Sequence, residues 1–330
     1  MKKPTVGIVC GGLSSESEIS KKSGQTVFDQ LSSSLWEVYM IVIGADEWLV
    51  FDSQKNEYQF SKGDFKIKNA SKEITIDVVF NAVHGRPGED GQLAALFQLL
   101  NLPHTGCSSY SAAITYNKRD CLAVLRAHDI PMARSYYLDA TDTIDEEAIV
   151  QTVGLPCFVK ANRGGSSFGV FKVEEKESLT TAIKAAFQED AQLIIESALE
   201  GREVSVGVID WEGAVKVLPI TEIISENAFF DYAAKYEGKA QEITPAPIDS
   251  VTEMAVRTMA EKIYTTLGLA GFSRSEFILV EGVPHLLEVN TIPGLTKQSI
   301  LPQQLQAAGI SLEDFFNGLL NTALSKKNYI

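Results

Sequence analysis

Only four cysteines occur in the 330-residue sequence, Cys10, Cys107, Cys121 and Cys157, and no two form a CxxC pair. A disulfide framework is excluded, zinc has no obvious site, and four lone thiols suit a reducing cytoplasm. No uninterrupted apolar run approaches the roughly 18 residues needed to span a bilayer. The apolar stretch behind Lys2 and Lys3, Thr5–Cys10, is too short for a signal-peptide core, so a cytoplasmic protein is expected. Positive charge is in deficit: 29 Lys and Arg face 43 Asp and Glu, a net charge of −14. Such a chain repels nucleic acid and anionic membranes at long range, although a local basic pocket can still hold a nucleotide. Internal repeats and low-complexity tracts are absent too. What is present is ordinary globular material, 45% hydrophobic and 22% charged, long enough for two or three domains.

The first hundred residues alternate short β-branched runs with helical patterns. Thr5–Cys10, Glu37–Ile43 and Asp77–Val83 read as strands and Ser17–Leu31 as an amphipathic helix. That order predicts an open parallel sheet, with ligands at the carboxyl ends of its strands, in the loops starting at Gly11 and His84. A helix-rich stretch follows from Leu102, then a smaller α+β unit with strands in LPCFVKA, GVFKV and QLIIES around a helix near Leu179–Gln188. The remainder has strands in EVSVGVID and AVKVLPI, a helix near Val251–Leu267, strands Phe272–Val280 and His285–Asn290, and a C-terminal helix. The polar segment Thr221–Pro247 is long for a simple connection and is expected to be a lid or binding loop. The units divide at 1–104, 105–200 and 201–330.

The two late strands carry the clearest chemistry. A hairpin centred on Gly282 sets Glu276 opposite Glu288 and Arg274 opposite Asn290, all on one face. Opposed carboxylates repel and are best tolerated with a cation between them. Two carboxylates and a carboxamide suit magnesium, which usually works together with substrate phosphates. An exposed polar face is the other reading of each fragment taken singly.

Three loops add to this. Lys160-Ala161-Asn162-Arg163-Gly164-Gly165-Ser166-Ser167-Phe168-Gly169 offers backbone N–H groups, hydroxyls and an ammonium to an anion, as a phosphate cradle would, and a plain surface hairpin is its alternative. It lacks the GK[ST] ending of a Walker A loop. Gly11-Gly12-Leu13-Ser14-Ser15-Glu16 is no GxGxxG fingerprint, yet it lies between a strand and a helix, where Glu16 would meet a substrate ammonium or simply the helix N-terminus. His84-Gly85-Arg86-Pro87-Gly88-Glu89-Asp90-Gly91 is a third ligand loop, or a turn-and-cap segment.

Taken in order, Gly11-Gly12-Leu13-Ser14-Ser15-Glu16, His84-Gly85 with Gly88-Glu89-Asp90-Gly91, Asp231-Tyr232-Ala233-Ala234-Lys235-Tyr236, and Glu288-Val289-Asn290-Thr291 with Pro293-Gly294 resemble the D-alanine–D-alanine ligases of the ATP-grasp superfamily, through nearly the whole chain. The resemblance implies a three-domain α/β and α+β ATP-grasp architecture and ATP-dependent joining of two D-alanines through a D-alanyl phosphate, for cell-wall precursor synthesis. It implies that Lys118 and Lys160 hold ATP phosphates, that Glu196 and Leu199 lie along the adenine hinge, and that Glu203 binds the ribose. Glu276, Glu288 and Asn290 would hold two magnesium ions, with manganese as a substitute. Glu16, in a set with Ser166 and Tyr236, would orient the first D-alanine, with His84 nearby. Arg274 and the Gly294 N–H would stabilise the oxyanion, Ser299 would meet the second carboxylate, and Lys235 would close over the γ-phosphate. Glu276 and Ala161 stand where the family usually has aspartate and proline. A homodimer is expected by analogy. The competing readings are a D-alanine–D-lactate ligase, disfavoured by Tyr236, another carboxylate–amine ligase of the superfamily, and a regulatory module that has lost turnover.

Overall fold

The computed structural model of the chain describes residues 3–31, 33–69, 72–165, 169–225 and 240–325. Its first strand, β1 (Thr5–Gly11), is buried at every position, as a strand covered on both faces must be. It runs parallel to β2 (Glu37–Ile43) on one side and β7 (Val78–Asn81) on the other. Helix α1 (Ser17–Gln30) covers one face, where Val27 joins Val6 and Ile8. Helix α2 (Gln92–Leu99) covers the other, where Leu93 and Phe97 join Val9 and Ile41. The parallel sheet expected from the sequence is therefore present, but over three strands only. Four more, β3 (Trp48–Phe51), β4 (Glu57–Ser61), β5 (Lys66–Asn69) and β6 (Lys72–Thr75), extend it as an antiparallel meander into a mixed sheet of order β6-β5-β4-β3-β2-β1-β7.

A four-stranded antiparallel sheet of order β10-β9-β11-β8 follows, made of β8 (Ser135–Asp139), β9 (Cys157–Ala161), β10 (Val170–Val173) and β11 (Gln192–Ser197). Helices α5 (Glu146–Val153) and α6 (Leu179–Ala186) in the same stretch share a core with it that includes Leu138, Ile149, Val159, Ile183 and Ile195. Cys157, Val159 and Ala161 of β9 are buried and Phe158 and Lys160 only half-buried, so the period of two turns Lys160 away from that core.

The last sheet has six strands. β12 (Arg202–Trp211) pairs with β13 (Ala214–Val217), β14 (Thr221–Ser225) and β16 (Phe272–Val280), while β15 (Ala240–Ile243) and β17 (Val283–Asn290) lie outside β14 and β16. Helices α3 (Ser109–Tyr116), α4 (Lys118–Arg126) and α7 (Ser250–Thr266) pack against it through Ala112, Leu122, Leu125, Ile263 and Phe277. Instead of one C-terminal helix there are two, α8 (Ile300–Ala307) and α9 (Leu312–Ser325), separated at Gly309, where φ is +72°. Phe315 and Phe316 of α9 join the core of the first sheet beside Phe80, which ties the two ends of the chain together.

The expected lid over 221–247 begins and ends in paired strands, with Glu222 opposite Ile243 in β14 and β15. Residues 226–239, with Lys235 and Tyr236, lie outside the described residues, as do Ser166, Ser167 and Phe168. All four cysteines are buried and free. Among the described residues no helix is long and apolar enough to cross a membrane.

Candidate active site

The hairpin β16–β17 closes on Glu281-Gly282, whose φ angles of +51° and +81° are those of a two-residue primed turn. Its register at the turn pairs Val280 with Val283 and Phe277 with Leu286. Continued unbroken, that ladder would put Leu287 opposite Glu276. A bulge at Leu287 shifts it by one residue, so that Glu276 faces Glu288 and Arg274 faces Asn290. The expected pairing is observed, and the bulge, which the sequence reading did not foresee, is what produces it.

Each carboxylate of the pair has a cation of its own. Arg274 Nη2 donates to Glu276 Oε1 at 2.5 Å, and Lys118 Nζ lies 3.6 Å from Glu288 Oε2. Glu276 is almost wholly buried, whereas Glu288 and Asn290 line a cleft open to solvent. Among the described residues no three His, Cys, Asp or Glu side chains gather as a metal cage. Two carboxylates and one carboxamide are instead a sparse hard-oxygen set, which fits a magnesium ion that takes its other ligands from phosphate and water.

Lys160 Nζ donates to Glu196 Oε2 at 2.8 Å, a diagonal pair across β9 and β11. Burial pulls the Lys160 ammonium down, but the carboxylates of Glu196, Glu288 and Glu203 outweigh it and hold it above the usual lysine range. This lysine is therefore a fixed positive charge between the two sheets. Lys118, the first residue of α4, donates to the Gly164 carbonyl at 2.7 Å. Leu199, half-buried, lies in the link between β11 and β12, and Glu203 on β12 faces Ile223 and Ile278 of its neighbours.

On the opposite wall the Glu16 carboxylate rests against Gly165: a Cβ built there would lie 2.4 Å from Glu16 Oε2. Only glycine leaves room for this approach. His84 is buried with both ring nitrogens engaged. Nδ1 lies 2.7 Å from the Ile292 carbonyl, which can only accept, so the proton sits on Nδ1. Nε2 then accepts from the Ser23 hydroxyl at 2.8 Å, and Ser23 Oγ accepts the Leu295 N–H at 3.1 Å. Burial holds this imidazole below its usual range against the pull of Glu16 and the Ile292 carbonyl, which keeps it neutral. The circuit from Leu295 back to Ile292 fixes the turn that carries Gly294. Gly294 itself packs on Ser299, since a Cβ there would be 2.7 Å from the Ser299 hydroxyl.

Glu89 was given no role by the sequence reading, although it lines the same cleft. It accepts the Gly85 N–H at 2.7 Å and the Ile292 N–H at 3.2 Å, and so joins the first sheet's loop to the end of β17. Burial first, and the nearby Glu16 carboxylate second, push its pKa up to about 8. Its partners are backbone amides, and these leave no mark in a sequence.

Two family profiles match the chain, one described as D-ala D-ala ligase N-terminus over residues 5–107 and one as D-ala D-ala ligase C-terminus over residues 124–321. A D-alanine–D-alanine ligase of Flavobacterium johnsoniae is 50% identical over 320 residues, 97% of this chain and 99% of that protein. Among solved structures, D-alanyl-alanine synthetase A of Vibrio cholerae superposes with a TM-score of 0.88 at 29% identity, covering 98% of this chain and 99% of that one. A Bacillus anthracis D-alanine–D-alanine ligase complexed with ATP superposes with a TM-score of 0.81 at 25% identity, covering 98% of each chain. Family profiles that together span most of the length and a half-identical relative matched end to end leave one conclusion: the chain belongs to the D-alanine–D-alanine ligase family.

Proposed function

We propose that the chain joins two D-alanines to D-alanyl-D-alanine at the expense of ATP, through a D-alanyl phosphate. The observation that carries this reading is a single cleft lined at once by Glu16, an anchor for an ammonium, and by Lys118, Glu288 and Asn290, a surface for phosphates. An amino acid and a nucleotide triphosphate bound there meet carboxylate to phosphate. The ATP complex of the Bacillus anthracis relative supports the choice of nucleotide.

In this scheme Glu16, with Ser166 and Tyr236, holds the first D-alanine by its ammonium and presents its carboxylate. Lys118 and Lys160 hold the phosphate oxygens, Glu203 the ribose, and Glu196 and Leu199 the adenine edge. Glu276, Glu288 and Asn290 would hold magnesium, which when bound neutralises charge on the transferring phosphoryl group. Positioning dominates phosphoryl transfer, so the lysines need only stay charged and in place. The second amine then attacks the acyl carbon. Arg274, held by Glu276, and the N–H of Gly294 stabilise the oxyanion that develops, and Ser299 meets the second carboxylate. Water competes at that stage, and Lys235 with the segment around it would close over the γ-phosphate as a lid that excludes it. Cytoplasmic placement, beside the soluble precursors, and a homodimer complete the proposal.

The test is phosphate release from ATP and magnesium with and without D-alanine. Release should be slow alone and should rise in step with dipeptide. Equal rates without any amino acid would make the chain an ATPase and sink the reading.

A further inference from the structure

The amide groups at the start of α4 are capped from an unexpected quarter. A helix leaves its first N–H groups without internal partners. Here the Asn117 side chain accepts from Asp120 N at 3.2 Å, as an ordinary N-cap does. The two remaining amides both turn to Asn162, the first residue beyond β9. Lys118 N donates to the Asn162 carbonyl at 3.2 Å, and Arg119 N donates to Asn162 Oδ1 at 2.9 Å. Asn162 is fully buried, and its own N–H donates to the Gln192 carbonyl at 2.9 Å. The entry to the glycine-rich loop and the first turn of α4 are thus one rigid unit.

Arg119 fastens that unit to the sheet. Its guanidinium, buried with the rest of the side chain, donates to the Leu193 carbonyl through Nε and Nη2, to the Leu138 carbonyl through Nη2, and to Asp139 Oδ1 through Nη1. Its Cζ lies over the Tyr137 ring, 5.2 Å from the centre. β8 and β11 are therefore clamped to the residue adjacent to Lys118. Both lysines expected to hold phosphate lie next to this brace: Lys118 opens the capped turn, and Lys160 is two residues before Asn162.

We infer that Asn162 and Arg119 are positioning residues for phosphoryl transfer, which set the distance between Lys118 and the glycine-rich loop without touching substrate themselves. The inference rests on the reading above that Lys118 and this loop hold the phosphates of ATP. Asn162→Leu keeps the branched shape and removes the acceptor; Asn162→Asp keeps an oxygen for the Arg119 amide, where a helix N-terminus also favours a carboxylate. Misplacement of a binding group by about 1 Å can cost roughly a hundredfold. Asn162→Leu should raise KM for ATP about tenfold and lower kcat, with KM for D-alanine changed less than about twofold, and Asn162→Asp should recover most of the loss. Arg119→Lys, which keeps the charge but not the planar fork, is the milder second variant and should show the same split. A double variant with Lys118→Met should be no worse than Lys118→Met alone, because the brace acts through that lysine.

The inference is overturned if both KM values rise together, if Asn162→Asp is no better than Asn162→Leu, or if the double variant is additive. A different result marks failure of the underlying reading: Lys118→Met with an unchanged KM for ATP means that Lys118 holds no phosphate, whatever Asn162 does. Impaired Lys118→Met beside normal Asn162→Leu sinks the brace alone.

Discussion

Glu276 and Glu288 stand directly opposite each other because one extra residue, Leu287, bulges out of the hairpin that joins their strands. The turn at Glu281-Gly282 alone would have paired Glu276 with Leu287 and sent the second carboxylate to the other face. The bulge lies beside the site it creates, where such irregularities are often found.

Glu288→Gln should leave the fold intact and reduce ligation at least about a hundredfold, close to 3 kcal/mol of transition-state stabilisation. An amide donates as well as accepts and carries no charge to match the Lys118 ammonium or a magnesium ion. Turnover at saturating magnesium, with circular dichroism as the fold control, checks this. Near-normal turnover in a folded variant would remove the metal assignment.

Ser23 lies fully buried in the circuit from Leu295 through His84 to Ile292. Ser23→Ala strands the Leu295 N–H and the His84 Nε2 acceptor, at a cost of about 1–3 kcal/mol of stability. Because the same circuit fixes the turn that carries Gly294, kcat should fall as well, while KM for ATP stays put. Thermal unfolding and steady-state kinetics measure the two effects separately. Unchanged stability would mean that the circuit contributes little.

A hairpin centred on Gly282 arrives at the carboxylate pair because the bulge at Leu287 makes up the one residue by which the observed turn differs from that centre, and Glu37–Ile43 was legible because a largely apolar run ending in Ile41-Val42-Ile43 marks a strand. The meander of β3 to β6 escaped notice: segments such as Glu57–Ser61 and Lys66–Asn69 are short, mostly half-buried or exposed and rich in polar residues, so neither period stands out. Ser23, Glu89, Arg119 and Asn162 were missed for another reason. Their partners are backbone groups up to 272 positions away, and a backbone amide has no identity for a sequence to display. Resemblance to a family supplied the expected substrate contacts, but not the residues that hold those side chains in place.

Glu89 gives a pH signature with a definite sign. Its carboxyl ionises near 4.5 when unfolded and near about 8 when folded. Between those values the folded state binds more protons, so the contribution of Glu89 to stability is complete below about 4.5 and is lost as pH rises towards 8. Glu89→Gln cannot titrate. The difference in unfolding free energy between wild type and variant should therefore shift in favour of the variant from pH 5 to pH 8, as denaturant titrations at about four pH values would show. A difference that does not vary with pH would mean that Glu89 is ionised throughout and that its neighbours, not burial, set its state.

Gly165 lies in the cleft between Glu16, the proposed ammonium anchor, and Lys118, a proposed phosphate ligand, and a single added methyl group tests which of the two it serves. In Gly165→Ala the new Cβ would lie 2.4 Å from Glu16 Oε2 and 2.7 Å from its Cδ, too close for any real contact, so the Glu16 carboxylate must move. It can do so by rotating its side chain, which is cheaper than displacing backbone, and the fold should survive with unfolding temperature little changed. The ammonium anchor is then misplaced while Lys118, bonded to the Gly164 carbonyl, keeps its position. KM for the first D-alanine should consequently rise by about tenfold or more, whereas KM for ATP should change far less. Shortening the other side of the contact checks the cause: Glu16→Asp, one methylene shorter, relieves the clash with the added methyl group and should make the double variant better than additive. If Gly165→Ala instead raised KM for ATP and spared D-alanine, the glycine would serve the phosphates, and Glu16 would lose its place as the ammonium anchor.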